Sequence, residues 1–140
     1  MATKFYREAN RYAMKENQQF QRGLAHFNAR QFFEAHEVWE ELWLREAEPE
    51  KTFLQGLIQL AAGFHHYGRG NLRGTKSLLA AGIAKLSDFP GDHRGIALVA
   101  LRAEAQRWME VLDDENRPRP KKLPQILAAP IAAHQKNRVG

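Results

Sequence analysis

Apolar residues recur every three to four positions along nearly the whole chain, and no segment shows the strict alternation and β-branched enrichment of a half-buried strand. A stripe repeating every 3.6 residues lies on one side of the backbone only if that backbone is helical. The chain is therefore expected to be all-α. Its 140 residues, 44% of them apolar, suit a single helical bundle of about five helices.

The punctuation between apolar stripes divides the bundle. A first helix is expected from about Lys15 to Phe27, carrying Phe20, Leu24 and Phe27 on one side, with Asn28 placed to end it in a left-handed turn. A second spans about Gln31 to Arg45. Glu48 and Pro49 form a start signal for a third, which runs to about Tyr67 and closes at Gly68 and Gly70. Asn71 caps a fourth that ends near Leu86. The turn-rich "SDFPGDHRG" then leads into a fifth from Ile96 to Leu112. Short connections make neighbours antiparallel, so the hairpin of residues 31–68 is the expected centre. Gly56 and Gly63 cost about 1 kcal/mol each in a helix relative to alanine. They lie seven residues apart on one side, which predicts close helix packing; Gly74 and Gly82 invite the same reading.

Charge separates the two ends of the chain. Of 21 basic residues, six lie between Arg117 and Gly140 with no acid among them, leaving 15 basic against 16 acidic groups in residues 1–116. The expected organisation is a helical bundle domain over 1–116 and a basic, proline-rich tail over 117–140, partly packed or flexible. "NRPRPKKLP" favours an extended strand of chain that can lie on the body, and "QILAAPIAAHQ" a short helical turn packing Ile126, Leu127 and Ile131. A near-neutral body makes nucleic acid an unlikely partner, because phosphate binding calls for cations gathered on one folded face. No apolar run has the length of a membrane span or a signal peptide, so a soluble cytoplasmic protein without membrane contact is expected. The absence of cysteine excludes disulfides, thiolate catalysis and sulfur-held zinc.

"EAHEVWEELW", residues 34–43, sets one histidine and four glutamates close to two tryptophans. His36, Trp39, Glu40 and Trp43 stand at i, i+3, i+4 and i+7, the spacing of one helical face. His36 and Glu40 are accordingly expected to point inward among aromatics. A carboxylate in such a place needs a cation, a donor or a proton. A divalent metal ion on His36 and Glu40 would supply the charge, and a structural hydrogen-bonded pair is the bland alternative. On the antiparallel third helix His36 should lie opposite about Ala61, one turn from His65, which makes His65 and then His66 further candidate ligands. Gln59 joins Trp39 and Trp43 as a candidate pocket wall, and His26 is more remote. "HEVWE" departs from the H-E-x-x-H of zinc peptidases in having Glu40 where the second histidine belongs, with no third ligand downstream. No nucleophile elbow, phosphate loop or dinucleotide fingerprint is present, so enzymatic activity is left uncertain.

"FNARQFFEAHEVWEELWL" followed by "FLQGLIQLAAGFHHYGRGN" resembles the small bacterial and archaeal proteins grouped as domain of unknown function family 309. The hallmark is a histidine, three residues, a glutamate, two residues and an aromatic: here His36, Glu40 and Trp43. The resemblance covers roughly residues 20–87 and leaves the basic tail unmatched. It implies a small all-helical protein in which the motif histidine and glutamate are functionally important and metal-binding, with no activity assigned. Three functions follow as expectations. The first is a metal- or small-ligand-binding domain centred on His36 and Glu40 among Trp39 and Trp43. The second is a helical interaction module, with a homo-oligomer as one form, in which that pair is structural. The third is nucleic-acid binding through the tail.

Overall fold

The computed structural model describes residues 2–130, and within them every regular element is a helix. The elements are α1 (Ala2–Asn28), α2 (Phe32–Arg45), α3 (Glu50–Gly68), α4 (Leu72–Leu86), a 3-10 turn (His93–Gly95) and α5 (Leu98–Leu112). The expected five-helix bundle is what forms.

Each terminus has a local cause. α1 stops because Arg30 turns left-handed at φ 65°, which lets the Gln31 N–H reach back to the His26 carbonyl at 2.8 Å. The left-handed residue is thus Arg30, not Asn28 as expected, and the Asn28 side chain is free for another task. α3 opens one residue later than Pro49; the Glu48 carboxylate accepts from both the N–H and the hydroxyl of Thr52. Those bonds hold the Glu48 carboxyl below its usual range. Gly70 at φ 79° closes the α3 end, and Asn71 caps α4 by accepting from the Gly74 N–H at 3.0 Å. α1 begins well before the expected Lys15, and its first half carries exposed Tyr6, Tyr12 and Met14.

The core is an aromatic stack. Phe27 meets Phe32 edge-on at 5.0 Å, Phe32 meets Phe64 at 5.6 Å, and Phe64 meets Trp108 at 5.9 Å, so α1, α2, α3 and α5 share one interior. α3 and α4 approach most closely at glycine. A Cβ on Gly56 would stand 2.7 Å from Leu86 Cγ, and one on Gly82 would stand 2.9 Å from the Gly56 carbonyl. Gly63 packs on Leu79 in the same seam. Gly74 does not; a Cβ there would strike the Asn71 cap at 2.7 Å.

After α5 the chain returns across the body, and residues 125–130, the described part of "QILAAPIAAHQ", are not helical. Asn28 binds both backbone groups of Ile126, donating to its carbonyl at 2.9 Å and accepting from its N–H at 2.7 Å. Ala97 N–H donates to the Leu127 carbonyl, and Ala129 N–H to that of Gly95, so the strap pairs with the 3-10 turn as a short bridge. Ile126 is buried and Leu127 exposed, as alternation along extended backbone requires. The expected packing of Ile131 lies outside the described residues.

Candidate functional site

The buried side of α2 consists of Phe32, Ala35, Trp39 and Leu42. It centres on Trp39, whose indole N–H donates to the Phe20 carbonyl at 3.2 Å beneath Gly23. Trp39 is thus a core residue and walls no opening. Glu40 follows one residue on, about 100° around the helix. Its side chain is 51% exposed, which corrects the expectation that it points inward. The physical reason is plain: a half-turn rotation would bury a carboxylate, whereas the observed one leaves it hydrated.

His36 lies between these extremes. Its Nε2 stands 3.1 Å from Glu40 Oε2, and because an ionised carboxylate only accepts, Nε2 carries the proton. Nδ1 is buried and has no hydrogen-bond partner among the described residues. The ring stacks on Phe33 at 6.0 Å, and Phe33 in turn touches His65 at 5.3 Å. Further along the same seam Lys51 places its ammonium 4.3 Å over the half-buried Trp43 ring. These two contacts lie across the antiparallel pair of α2 and α3.

The remaining candidates separate. Phe33 contacts both His36 and His65, and no ring contact joins the two imidazoles among the described residues. His66 turns toward the start of α4, where Nδ1 lies 3.2 Å from the Asn71 amide. Gln59 is roughly 40° from Gly63, which packs on α4, and roughly 120° from His65. It lies nearer the α4 side of α3 than the His65 side, and its Oε1 is buried with no hydrogen-bond partner among the described residues. His26 bonds Gln31 at 2.8 Å and belongs to the α1–α2 turn. Among the described residues no three histidine or carboxylate side chains gather closely enough to hold a metal ion.

What the fold does gather is a groove of about 670 Å³ at the end of the hairpin where the α1–α2 and α3–α4 loops meet. Phe33, His65 and Tyr67 supply rings, and Arg30 and Arg69 supply cations without any side-chain partner among the described residues. Glu34 is the acid in its wall. On the far side of Tyr67, Arg119 donates to the phenol oxygen at 2.9 Å and lies 5.3 Å from the ring. Sequence reasoning missed this assembly. Arg30 and Arg69 each follow a helix end, which was legible, but nothing in the order of residues joins Arg119 to a tyrosine 52 positions away.

A second opening of about 360 Å³ lies beside Trp43, with Lys51, Gln55 and Lys85 around it. At the opposite end of the hairpin, the Glu46 carboxyl is pushed up by burial and by the Glu16 carboxylate, against a weaker downward pull from Arg94. Arg94 lies 4.4 Å over Phe20, and Glu50 is bound by His93 at 2.6 Å. None of the described helices is long and apolar enough to cross a membrane.

Known proteins bear on the same segment. The chain is 29% identical over 93 residues to an uncharacterized protein of Aquifex aeolicus (strain VF5), covering 66% of this chain and 28% of that protein. It is 40% identical over 76 residues to the uncharacterized protein YpuF of Bacillus subtilis (strain 168), covering 52% of this chain and 41% of YpuF. The chain thus spans less than half the length of the curated relatives it matches. Residues 20–78, which take in the last third of α1, all of α2 and α3, and the first half of α4, match the family described as Domain of unknown function (DUF309).

Proposed function

We propose that this protein is a helical ligand-binding domain whose seat is the groove between Arg30 and Arg69, taking a small anionic ligand with a flat ring. The observation that carries the reading is the pairing, in one groove, of half-open rings with two guanidiniums that have no side-chain partner among the described residues. A guanidinium offers a rigid fork of donors to a carboxylate or phosphate, and Phe33, His65 and Tyr67 offer faces for stacking. The His36–Glu40 pair then acts from one turn below. Glu40 holds the imidazole in one orientation, and that imidazole backs Phe33. The test is a titration of the ¹⁵N-labelled protein with benzoate and with adenosine monophosphate. Shifts are expected at the amides of residues 30–34 and 65–69, and are expected to vanish in Arg69→Ala. Shifts confined to other regions, or none with either probe, would sink the reading.

A second reading places a divalent metal ion on His36 and Glu40. It is favoured by the 3.1 Å separation of Nε2 and Oε2, which suits two neighbouring ligands on one ion at bond lengths of about 2.0–2.2 Å. Only two protein donors stand there among the described residues, so water would complete the shell; imidazole with carboxylate suits zinc, manganese, iron or nickel. Elemental analysis of protein purified without chelator, beside folded His36→Ala and Glu40→Ala, tests it. Metal in the parent that both variants lose supports the site, and a metal-free parent that takes up no added ion refutes it.

A further inference from the structure

We propose that the same groove is one end of a longer track that binds single-stranded nucleic acid. The inference rests on the anion-seat reading above and extends it beyond a single small ligand.

A second groove of about 610 Å³ lies against the first, lined by Arg73, Lys76, Arg117 and Arg119 with Asp114 and Glu115. Tyr67 walls the first groove and Arg119 the second, and the two side chains are bonded to each other, so a single Tyr67–Arg119 partition separates them. Six cations thus face three acids along the combined walls. Lys76 is already paired with Asp113 at 3.2 Å, and Arg117 lies 4.0 Å from Glu110. Arg30, Arg69 and Arg73 have no side-chain partner among the described residues, and Arg119 is engaged only by a neutral phenol.

Four guanidiniums without a carboxylate, spread over two grooves and both sides of a ring, exceed what one small anion can contact. A chain of phosphates can meet them in succession. Phe33, His65 and Tyr67 line the first groove beside Arg30 and Arg69, Tyr67 meets Arg119 at its edge, and each ring offers a base a sequence-tolerant stacking face. A duplex keeps its bases paired and inaccessible to these rings, whereas a single strand presents them. The basic tail, expected to be partly packed or flexible, is central here. Folding of residues 117–122 against α3 and α4 brings Arg117 and Arg119 beside Arg69 and Arg73, which supplies the folded cationic face that the sequence did not show. Exposed Lys121 and Lys122 continue it.

The experiment is fluorescence anisotropy of a labelled uridine decamer and a labelled thymidine decamer with the full chain between 50 and 200 mM salt. Four phosphate contacts predict a slope of log affinity against log salt of about −3, from about −0.7 per contact on a single strand. Arg69→Ala with Arg119→Ala removes two exposed side chains, and circular dichroism checks that the fold is kept. Each lost contact is a factor of about 5 at 0.1 M salt, so the double variant is expected to bind about 25-fold more weakly, with the slope halved. Unchanged affinity in that variant would overturn the track. Decaglutamate competing as well as unlabelled decamer would overturn it in favour of an acidic peptide. Decamers binding no tighter than adenosine monophosphate, with that nucleotide still shifting the groove amides, would overturn the track alone and leave the small-anion seat standing. No response to either nucleotide or decamer would remove both.

Discussion

Replacing Gly23 by alanine is expected to destabilise the protein, although the same change usually helps a helix. Gly23 sits on the inner side of α1, and a Cβ there would lie 2.0 Å from Trp39 Nε1 and 2.4 Å from Cδ1 and Cε2. The indole is fully buried and bonded to the Phe20 carbonyl, so it has no free end to swing aside. Alanine gains about 1 kcal/mol of helix propensity. Forcing a methyl into a packed core costs about 1–3 kcal/mol, and stripping the indole N–H of its acceptor about 1–3 more. The clash wins, for a net loss of about 3 kcal/mol and a fall in Tm of roughly 10 °C for a domain of this size. Urea denaturation should show a lower midpoint at unchanged slope. Gly68→Ala is the control, because a Cβ there meets nothing within 4 Å and only the propensity gain of about 0.5–1 kcal/mol is expected. If Gly23→Ala matched or exceeded the parent in stability, Trp39 would have to be able to leave the core, and the claim that this motif tryptophan is structural would fail.

Asn28→Ala removes both hydrogen bonds to Ile126 and should cost about 1–3 kcal/mol. It should also speed amide exchange at Ile126 and tryptic cleavage after Lys121 or Lys122, and unchanged exchange would show the strap to be held by other contacts. Glu46 supplies a pH test. A carboxyl raised above its ordinary value keeps its proton in the fold where the unfolded chain has lost it. Its stabilising contribution is present at low pH and is lost as pH rises through the raised pKa. Glu46→Gln should therefore melt above the parent at neutral pH and level with it below about pH 4, where both chains carry a neutral group. Parallel melting profiles across that range would contradict the assignment.

The candidate site was legible only in pieces. The facing of α2 and α3 followed from periodicity, and Phe33 on His65 and Lys51 on Trp43 are contacts across that antiparallel pair. The side on which Glu40 falls was not. Four residues at i, i+3, i+4 and i+7 define a face roughly 100° wide, and the sequence does not say which edge of it enters the core. The core took Trp39 because Gly23 leaves room for an indole and Phe20 offers it a carbonyl. Glu40 was left in water and His36 at the boundary.

By itself the sequence determined the number and order of the helices, the caps at Asn71 and Gly70, and the glycine seam between α3 and α4. Each of those depends on residues near one another in the chain, or on a period that any one helix carries alone. Tertiary structure decided what the strap after α5 does. Asn28, 98 positions from Ile126, holds it in place, and Tyr67 receives Arg119 across 52 positions. Local pattern carries no record of such pairings, because they exist only once the helices have packed and brought distant hydrogen-bonding groups within reach.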